Sequence, residues 1–409
     1  MEVVFGLIVA FIVLDFVLER ILEWLNMRAM APVLPENLKG IYDEKEYARF
    51  QNYKRENNRL GLFSSTVSFV VMMAFLLAGG FGWWNGVVVS VVEHPVGQTL
   101  LFMLGLALAS ELLSLPFDGY ATFHIEEKYG FNRTTVRTYC WDWVKGMLVS
   151  GIIGGILLAV VVWFYEWAGT DFWWYAWAII TLFSIFMSMF YSQLIVPLFN
   201  KQTPLEEGSL RNKIGEFARK VGFRLDNIYV IDGSRRSTKS NAYFTGLGPK
   251  KRIVLYDTLI QDLTEEEIVA VLAHEVGHYK KKHTFQFMLA SFIQTGIILW
   301  LFSLLVNQPA LSEALGGDRT CFQLGLVAFT ILYSPISMVL GLGMNGWSRR
   351  NEYQADAFAA RYADGKALGS GLKKISVKSL SNLTPHPLYE WVYYSHPSLL
   401  KRLNALDNC

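Results

Sequence analysis

The chain has 409 residues, of which 52% are hydrophobic and 15% aromatic, and its mean hydropathy is +0.28. These values are typical of a membrane protein and argue against a soluble enzyme. A net charge of +2 indicates little by itself, and we expect no nucleic-acid partner. The cysteines (Cys140, Cys321 and Cys409) are far apart and lack CxxC spacing, which argues against a disulfide framework or a sulfur-rich metal site.

Seven apolar stretches are long enough to cross a bilayer, which takes about 20 residues. The first is interpreted as a span, not a cleavable signal peptide, because it contains Asp15 and Glu19 and lacks a small-residue cleavage pattern. Only Gly169-Thr170-Asp171 and a few neighbours separate the fourth stretch from the fifth, which predicts a tight hairpin. The seven predicted spans lie near residues 3–26, 62–83, 98–116, 146–166, 173–196, 284–306 and 324–345.

Lysine and arginine are distributed unevenly between the connecting segments. Residues 27–60 hold seven of them, whereas the loops after the second and fourth spans hold none and the loop after the sixth holds only Arg319. The positive-inside rule therefore predicts an outside N-terminus and a cytosolic C-terminus. The chain divides into spans 1–5 (residues 1–196), a cytosolic α/β segment (197–283), spans 6–7 (284–345) and a cytosolic helical segment (346–409).

The segment 197–283 is expected to mix helices and strands. A helix near 206–221 precedes three short β-like runs at Asn227–Asp232, Ser240–Thr245 and Arg252–Tyr256. The last two runs are joined by Gly246-Leu247-Gly248-Pro249. A further helix follows and is predicted to continue directly into the sixth span at Thr284.

That further helix carries His274-Glu275-Val276-Gly277-His278, an HExxH pattern. Residues four apart share one face of a helix, so both imidazoles can bind one zinc ion while Glu275 acts as general base. Thr264 and Glu267 have the spacing of a capping box that starts the helix. Two histidines on a solvated helix are the alternative interpretation.

A catalytic zinc needs a third protein ligand and an open position for water. His283 is five residues after His278 and should point away from the ligand face of a continuous helix. Glu352 follows the seventh span, at the membrane face where the sixth begins, and is the predicted third ligand. Asp356, one turn later, could orient a ligand histidine. The alternative is a helix with two solvated acids.

His396 and Arg402 are weaker candidates in the C-terminal segment. His396 could stabilise an oxyanion near the zinc, with Arg402 as a supporting cation. On spacing alone, His396-Pro397 is more simply explained as a turn. The pair His386-Pro387 repeats the pattern and is interpreted as structural.

HEVGH, NEYQAD (351–356), SNAYFTG (240–246) and SHPSLLKRL (395–403), in this order, resemble the type I CAAX prenyl endopeptidases. Residues 125–132 and 385–389 extend the resemblance over nearly the whole chain. The resemblance implies a mainly α, polytopic fold, with seven transmembrane helices around an internal chamber and a gluzincin-like α/β portion. It also implies His274, His278 and Glu352 as ligands of one zinc ion, Glu275 as base, and His396 and Arg402 as oxyanion or substrate contacts. Asn241, Ala242 and Tyr243 become part of an edge strand that pairs with the substrate.

The resemblance also implies a substrate class. Eukaryotic members of the family remove the C-terminal tripeptide of prenylated CaaX proteins, so a peptide or protein substrate, with or without a prenyl group, is expected. The alternative is a membrane-protein quality-control protease of broader specificity. The length of the chain and the absence of an ER-retrieval ending favour a bacterial inner membrane, with the ER membrane expected for a eukaryotic protein. Beyond the substrate and the lipid bilayer, no obligate protein partner is evident.

Overall fold

The structure is a computed structural model that describes residues 2–31, 33, 36, 39–223, 228–245 and 252–408. The predicted turn at 246–249, Asn227 and Cys409 lie outside the described residues. Twenty elements follow along the chain, with a π-helical turn at Ala121–Glu126 and short 3-10 turns at Gly169–Asp171 and Gly233–Arg235. They are α1 Glu2–Arg28, α2 Glu44–Leu77, α3 Gly80–Val91, α4 Pro95–Tyr120, α5 Val136–Ala168, α6 Phe172–Leu194, α7 Val196–Phe199, β1 Gln202–Pro204, α8 Ser209–Lys220, β2 Ile228–Ile231, β3 Ala242–Thr245, β4 Arg252–Tyr256, α9 Asp257–Asp262, α10 Glu265–Lys280, α11 His283–Leu305, α12 Pro309–Ala314, α13 Phe322–Tyr362, α14 Gly365–Lys378, α15 Pro387–Tyr393 and α16 Leu399–Leu406.

Within the described part of the chain, seven long helices contact one another in a closed ring. In order around the ring these are α1, α2, α4, α5, α6, α11 and α13, which returns to α1. Each contains one of the predicted spans, although the second predicted span runs past the end of α2. That helix stops because Gly79 adopts φ 71°, in the left-handed region, and a separate helix α3 begins at Gly80.

Five helical stretches of the described residues are long and apolar enough to cross a membrane. One of them, Val136–Phe199, contains both α5 and α6, which the 3-10 turn at Gly169–Asp171 joins as the predicted hairpin. Helix α1 is not among the five, and its Arg20 pairs with Glu19 and Glu23 at 3.1 and 2.7 Å. The chain is thus a multi-pass membrane protein, and the number of seven crossings stays a prediction.

Apolar side chains on the helices of the ring are exposed, as is typical of helices that cross a membrane. Ile152 on α5, Leu182 on α6 and Ile293 on α11 are each more than half exposed. At one end, α3 and α12 pack against the starts of α4 and α13 around the buried side chains of Phe81, Phe102, Leu311 and Leu324. This apolar cluster closes that end of the ring.

A four-stranded sheet lies at the other end, in the strand order β1-β2-β4-β3. Three of its strands were predicted, and β1 was missed because it has only three residues. Strands β2 and β4 are parallel, while β1 and β3 pair antiparallel with their neighbours, so β3 is an edge strand. The sheet packs with α8, α10 and α14 around a core that includes Ile214, Leu255 and Leu272.

Two predicted helix boundaries differ from the structure near the HExxH motif. Helix α10 ends at Lys280, and Lys282 adopts φ 60° before α11 begins at His283, so the expected direct continuation into the sixth span is wrong. In contrast, α13 continues without interruption for 41 residues from the seventh predicted span through Glu352 and Asp356. The predicted segment boundary at 345/346 therefore falls inside one helix.

Candidate metal centre

Helix α10 is fixed at its start by reciprocal hydrogen bonds. The Thr264 hydroxyl accepts from the backbone N–H of Glu267 at 3.3 Å, and the Glu267 carboxylate accepts from the N–H of Thr264 at 2.8 Å. This is the predicted capping box. Three glutamates in the first turn also complement the positive end of the helix dipole. The cap sets the register that brings His274 and His278 to one face.

Three side chains from two helices converge at this face. His274 Nε2 and His278 Nε2 are 3.1 Å apart, while Glu352 Oε1 lies 3.2 Å from His278 Nε2 and Glu352 Oε2 lies 3.5 Å from His274 Nε2. The structure therefore brings together all three predicted ligands. Tetrahedral ligands bound to zinc at about 2.0–2.1 Å are separated from one another by roughly 3.3 Å, so this triangle fits the ion.

The donor set itself indicates that a cation belongs here. Glu352 Oε2 is buried and has no hydrogen-bond partner among the described residues. The basic groups near it are His274, whose Nε2 is 3.5 Å away, and Arg402, whose Nη1 is 3.6 Å away. An ionised oxygen buried without a partner is costly, and a metal ion between the carboxylate and the two imidazoles would satisfy it.

Asp356 and Arg402 hold His274 from behind. His274 Nδ1 lies 2.8 Å from Asp356 Oδ1, and Arg402 donates to both oxygens of Asp356 at 2.6 and 2.9 Å. Burial lowers the pKa of His274, but the carboxylates of Asp356 and Glu352 beside its two ring nitrogens outweigh it and raise the pKa to about 9. Asp356 faces Nδ1, so Nε2 is the nitrogen directed at the other ligands, and a metal ion bound there would replace the Nε2 proton.

Glu275 and His396 line the same cavity, which has a volume of about 370 Å³ and also contacts the three ligands. His396 Nε2 is 3.3 Å from Glu352 Oε1, and its side chain is 63% exposed. Its Nδ1 contacts the Ser395 hydroxyl at 3.0 Å. The C-terminal segment thus returns to the site, and an exposed imidazole is available beside the ligand carboxylate.

The predicted substrate strand is β3, and no other strand of the described residues pairs with its outer edge. The backbone carbonyl of Asn241 accepts from Tyr256 N–H at 3.1 Å, so the backbone hydrogen-bonding groups of Asn241 face β4. Since backbone groups alternate along an antiparallel pair, Tyr243 also faces β4, whereas Ala242 and Phe244 face outward. Phe244 lines the cavity, and nothing in the sequence singles it out.

His283 contacts the ligand histidine His278, which the sequence did not predict. Its Nδ1 lies 3.1 Å from His278 Nδ1, and its Nε2 lies 3.4 Å from Gln354 Oε1. The break at Lys282 turns the start of α11 back toward the site, which undoes the five-residue spacing. The sequence gives no clear indication of this helix break, because the pair Lys281-Lys282 at the break is common in helical segments.

Comparison with known proteins gives a consistent relationship over the whole chain. Residues 23–201 match a family described as "CAAX prenyl protease N-terminal, five membrane helices", and residues 204–409 match "Peptidase family M48". A "CAAX prenyl protease 1 homolog" of Arabidopsis thaliana is 36% identical, with 98% of this chain and 96% of the relative covered. "CAAX prenyl protease 1" of Saccharomyces cerevisiae is 33% identical, with 98% and 94% covered. A solved structure titled "Crystal Structure of S. mikatae Ste24p" has a TM-score of 0.92 and 34% identity, covering 99% of both chains.

Proposed function

Because this chain belongs to peptidase family M48, we propose that it hydrolyses peptide bonds near the C-terminus of CAAX-type, prenylated proteins. The chain is a membrane-embedded metallopeptidase. Its curated relatives are named for CAAX prenyl protease activity, and it covers nearly their whole length. The substrate class is carried over to this chain on that basis.

The observation that carries the mechanism is the convergence of His274, His278 and Glu352 beside Glu275 in one cavity. We assign these three side chains as the protein ligands of one zinc ion. When bound, zinc polarises the scissile carbonyl and makes a water molecule acidic. Glu275 takes the proton of this water and passes it to the leaving amine.

The remaining residues of the site orient the ligand His274 and the substrate, and stabilise the developing negative charge. His396 Nε2 donates a hydrogen bond to the oxyanion that develops on the scissile carbonyl. Asp356 and Arg402 keep the ring of His274 in one tautomer and one orientation. The substrate adds an extended strand to the outer edge of β3, where the backbone groups of Ala242 and Phe244 face outward while those of Asn241 and Tyr243 pair with β4. This arrangement binds the main chain without reading much sequence.

The membrane setting carries three further proposals. We infer seven crossings, an outside N-terminus and a cytosolic C-terminus, supported by the ring of seven helices and the lysine and arginine distribution. The substrate and the bilayer are the only partners we propose. The relatives named above come from a plant and a yeast, so they lend no support to the bacterial inner membrane that the sequence favoured.

The direct test compares Glu275→Gln with Glu266→Gln, an acid on the same helix that pairs with Lys213 at the surface. We expect Glu275→Gln to retain about one zinc per chain and to lose cleavage by at least about a hundredfold, because the base is removed while the ligands stay. His274→Ala should lose both zinc and activity. Elemental analysis and cleavage of a prenylated peptide measure these outcomes, and full activity of Glu275→Gln would refute the mechanism.

Substrate class is tested separately, with prenylated and unprenylated versions of one peptide. A CAAX protease should prefer the prenylated form. Equal cleavage of both, with activity on unrelated membrane proteins, would favour the quality-control alternative.

A further inference from the structure

Two ammonium groups lie near one aromatic ring, Tyr53, and one of them belongs to the segment that leads into β3. Lys239 Nζ is 5.6 Å from the centroid of the Tyr53 ring, and Lys54 Nζ is 5.7 Å from the same centroid. Lys239 also lies over the Phe131 ring at 4.6 Å. Helix α2 supplies Lys54, whereas Lys239 is two residues before Asn241, so the pair joins the helical ring to the substrate strand.

This pair carries an uncompensated positive charge. Lys239 forms an ion pair with Glu126, with Nζ 2.9 Å from Oε2. Lys54 is half-buried and interacts electrostatically with both Lys239 and Glu126, but among the described residues no carboxylate lies within 4.0 Å of it. Two cations and one carboxylate leave a net charge of +1. A half-buried ammonium without a counterion is suited to an anionic ligand.

The open edge of β3 leads from the metal centre to this charge. Phe244 lines the metal cavity, and the chain preceding it passes through Ala242 and Asn241 to Lys239. Antiparallel pairing is the more stable arrangement for an added strand. A substrate paired in this direction with β3 runs from the Thr245 end toward Asn241, so the part beyond the scissile bond points to Lys239.

The length of the leaving peptide matches the distance along the strand. Three extended residues span about 10 Å at roughly 3.3 Å each. Starting at the cavity beside Phe244, that length ends alongside Asn241 and Ser240. The terminal carboxylate of a leaving tripeptide therefore comes next to Lys239 and within reach of the flexible Lys54 side chain.

On these grounds, and resting on the proposed function, we propose that Lys54 and Lys239 bind the C-terminal carboxylate of the substrate. Lys239 is held in place by Glu126 and Tyr53, and Lys54 supplies the free charge. The site makes the enzyme select peptides whose scissile bond lies three residues from a free C-terminus. Glu126 positions Lys239 and keeps the net charge at a value that one carboxylate neutralises.

The test uses the full-length protein and two prenylated peptides that differ only in ending with a free carboxylate or a carboxamide. For the wild type we expect kcat/KM to favour the carboxylate peptide by about tenfold, the usual strength of a hydrogen-bonded charge. In Lys54→Gln this ratio should fall toward one, mainly through KM, whereas Lys54→Arg should keep most of it. Arg55→Gln, an exposed cation at the next position, is the matched control and should keep the wild-type ratio.

Equal cleavage of the two peptides by the wild type would overturn the proposal, as would an unchanged ratio in Lys54→Gln. If Lys54→Gln does not fold, raising the salt concentration with the wild type gives the same information, since it should raise KM for the carboxylate peptide alone. Binding of both peptides to Glu275→Gln separates this inference from the proposed function. If the wild type cleaves neither peptide, the proposed function is contradicted. The proposed carboxylate site is then tested by binding alone: Glu275→Gln should bind the carboxylate peptide more tightly than the carboxamide peptide.

Discussion

The left-handed conformation of Lys282 brings His283 into contact with the metal centre. The contact between His283 Nδ1 and His278 Nδ1 requires one ring to donate and the other to accept. With His278 donating through Nδ1–H, its Nε2 lone pair is free to face Glu352 and His274. His283 then carries its proton on Nε2, directed at Gln354 Oε1. One hydrogen-bonded chain thus sets the tautomers of both rings.

Replacing His283 by Leu removes the acceptor that holds His278. We expect the dissociation constant for zinc to rise by about tenfold or more, in line with the loss of other groups that orient metal-bound histidines. Competition against a chromophoric chelator measures this affinity independently of catalysis. Replacing His386, which caps α15 through Leu388 N–H and does not line the metal cavity, provides the control. An unchanged zinc affinity in His283→Leu would show that the contact does not orient the ligand.

At this scale the sequence predicts whatever depends on spacing within one helix. His274, Glu275 and His278 follow from the 3.6-residue period, and the Thr264–Glu267 cap follows from its pattern. The positions of Glu352, Asp356 and Arg402 depend on contacts between separate helices. Span topology and one-turn spacing suggested Glu352 and Asp356, whereas Arg402 was only a weak candidate before the family resemblance. His283 and Phe244 could not be found, because the first depends on a left-handed Lys282 and the second on which edge of the sheet stays open.

The packing of α10 against α13 brings the ligands of the two helices together. A Cβ atom added at Gly277 would lie 3.1 Å from both Ala355 Cα and Phe358 Cβ. These are inflexible parts of α13, on the same turns that carry Glu352 and Asp356. Glycine at this position therefore permits the close approach that His274 and His278 need to reach Glu352.

For Gly277→Ala we expect opposing effects on the helix and on the site. The substitution raises helix propensity by about 1 kcal/mol, but it pushes α13 outward by a few tenths of an ångström. Since the ligands must meet within narrow limits, kcat/KM should fall by about tenfold. Gly215→Ala in α8, where the added Cβ meets nothing within 4 Å, is the matched control and should leave activity unchanged. Equal activities of the two variants would contradict the close-packing argument.

The elements themselves were largely predictable, whereas their junctions were not. Apolar runs located the spans, and short β-branched and aromatic runs located β2, β3 and β4. No periodicity distinguishes the end of the seventh predicted span from the helix that follows, because both halves of α13 favour helix. Between α10 and α11 the helix breaks where the sequence favours its continuation. Lysines are good helix formers, so local preference does not predict the break.

For the whole molecule, the ring is closed at one end by a buried polar cluster as well as by apolar packing. Gln323, at the start of α13, donates to Asn85 Oδ1 at 2.7 Å and accepts from the Thr99 hydroxyl at 3.2 Å. The three residues come from α13, α3 and α4, and all are buried. A composition argument cannot find such a cluster, because it depends on three distant segments meeting.

Replacing Gln323 by Leu leaves Asn85 and Thr99 without their partner. We expect the free energy of unfolding to fall by about 2 kcal/mol, because buried polar groups are left unsatisfied. Thermal unfolding in detergent measures the loss, and the zinc content should stay at about one ion per chain. If the cluster acts as a unit, adding Asn85→Leu should cost less than the sum of the two single changes. Full additivity would indicate independent contributions.

Helix α13 spans the molecule from this polar cluster to the metal centre. Its 41 residues correspond to a rod about 60 Å long, well beyond the roughly 30 Å hydrocarbon thickness of a bilayer. Long rods accommodate thin or thick lipid by tilting, and a tilt of only about 3° moves the far end of a 60 Å rod by roughly 3 Å. That displacement is comparable to the separation between Glu352 and the two imidazoles. A tilt that α10 did not share would separate Glu352 from the two imidazoles, and the close packing of Gly277 on α13 makes the two helices tilt together.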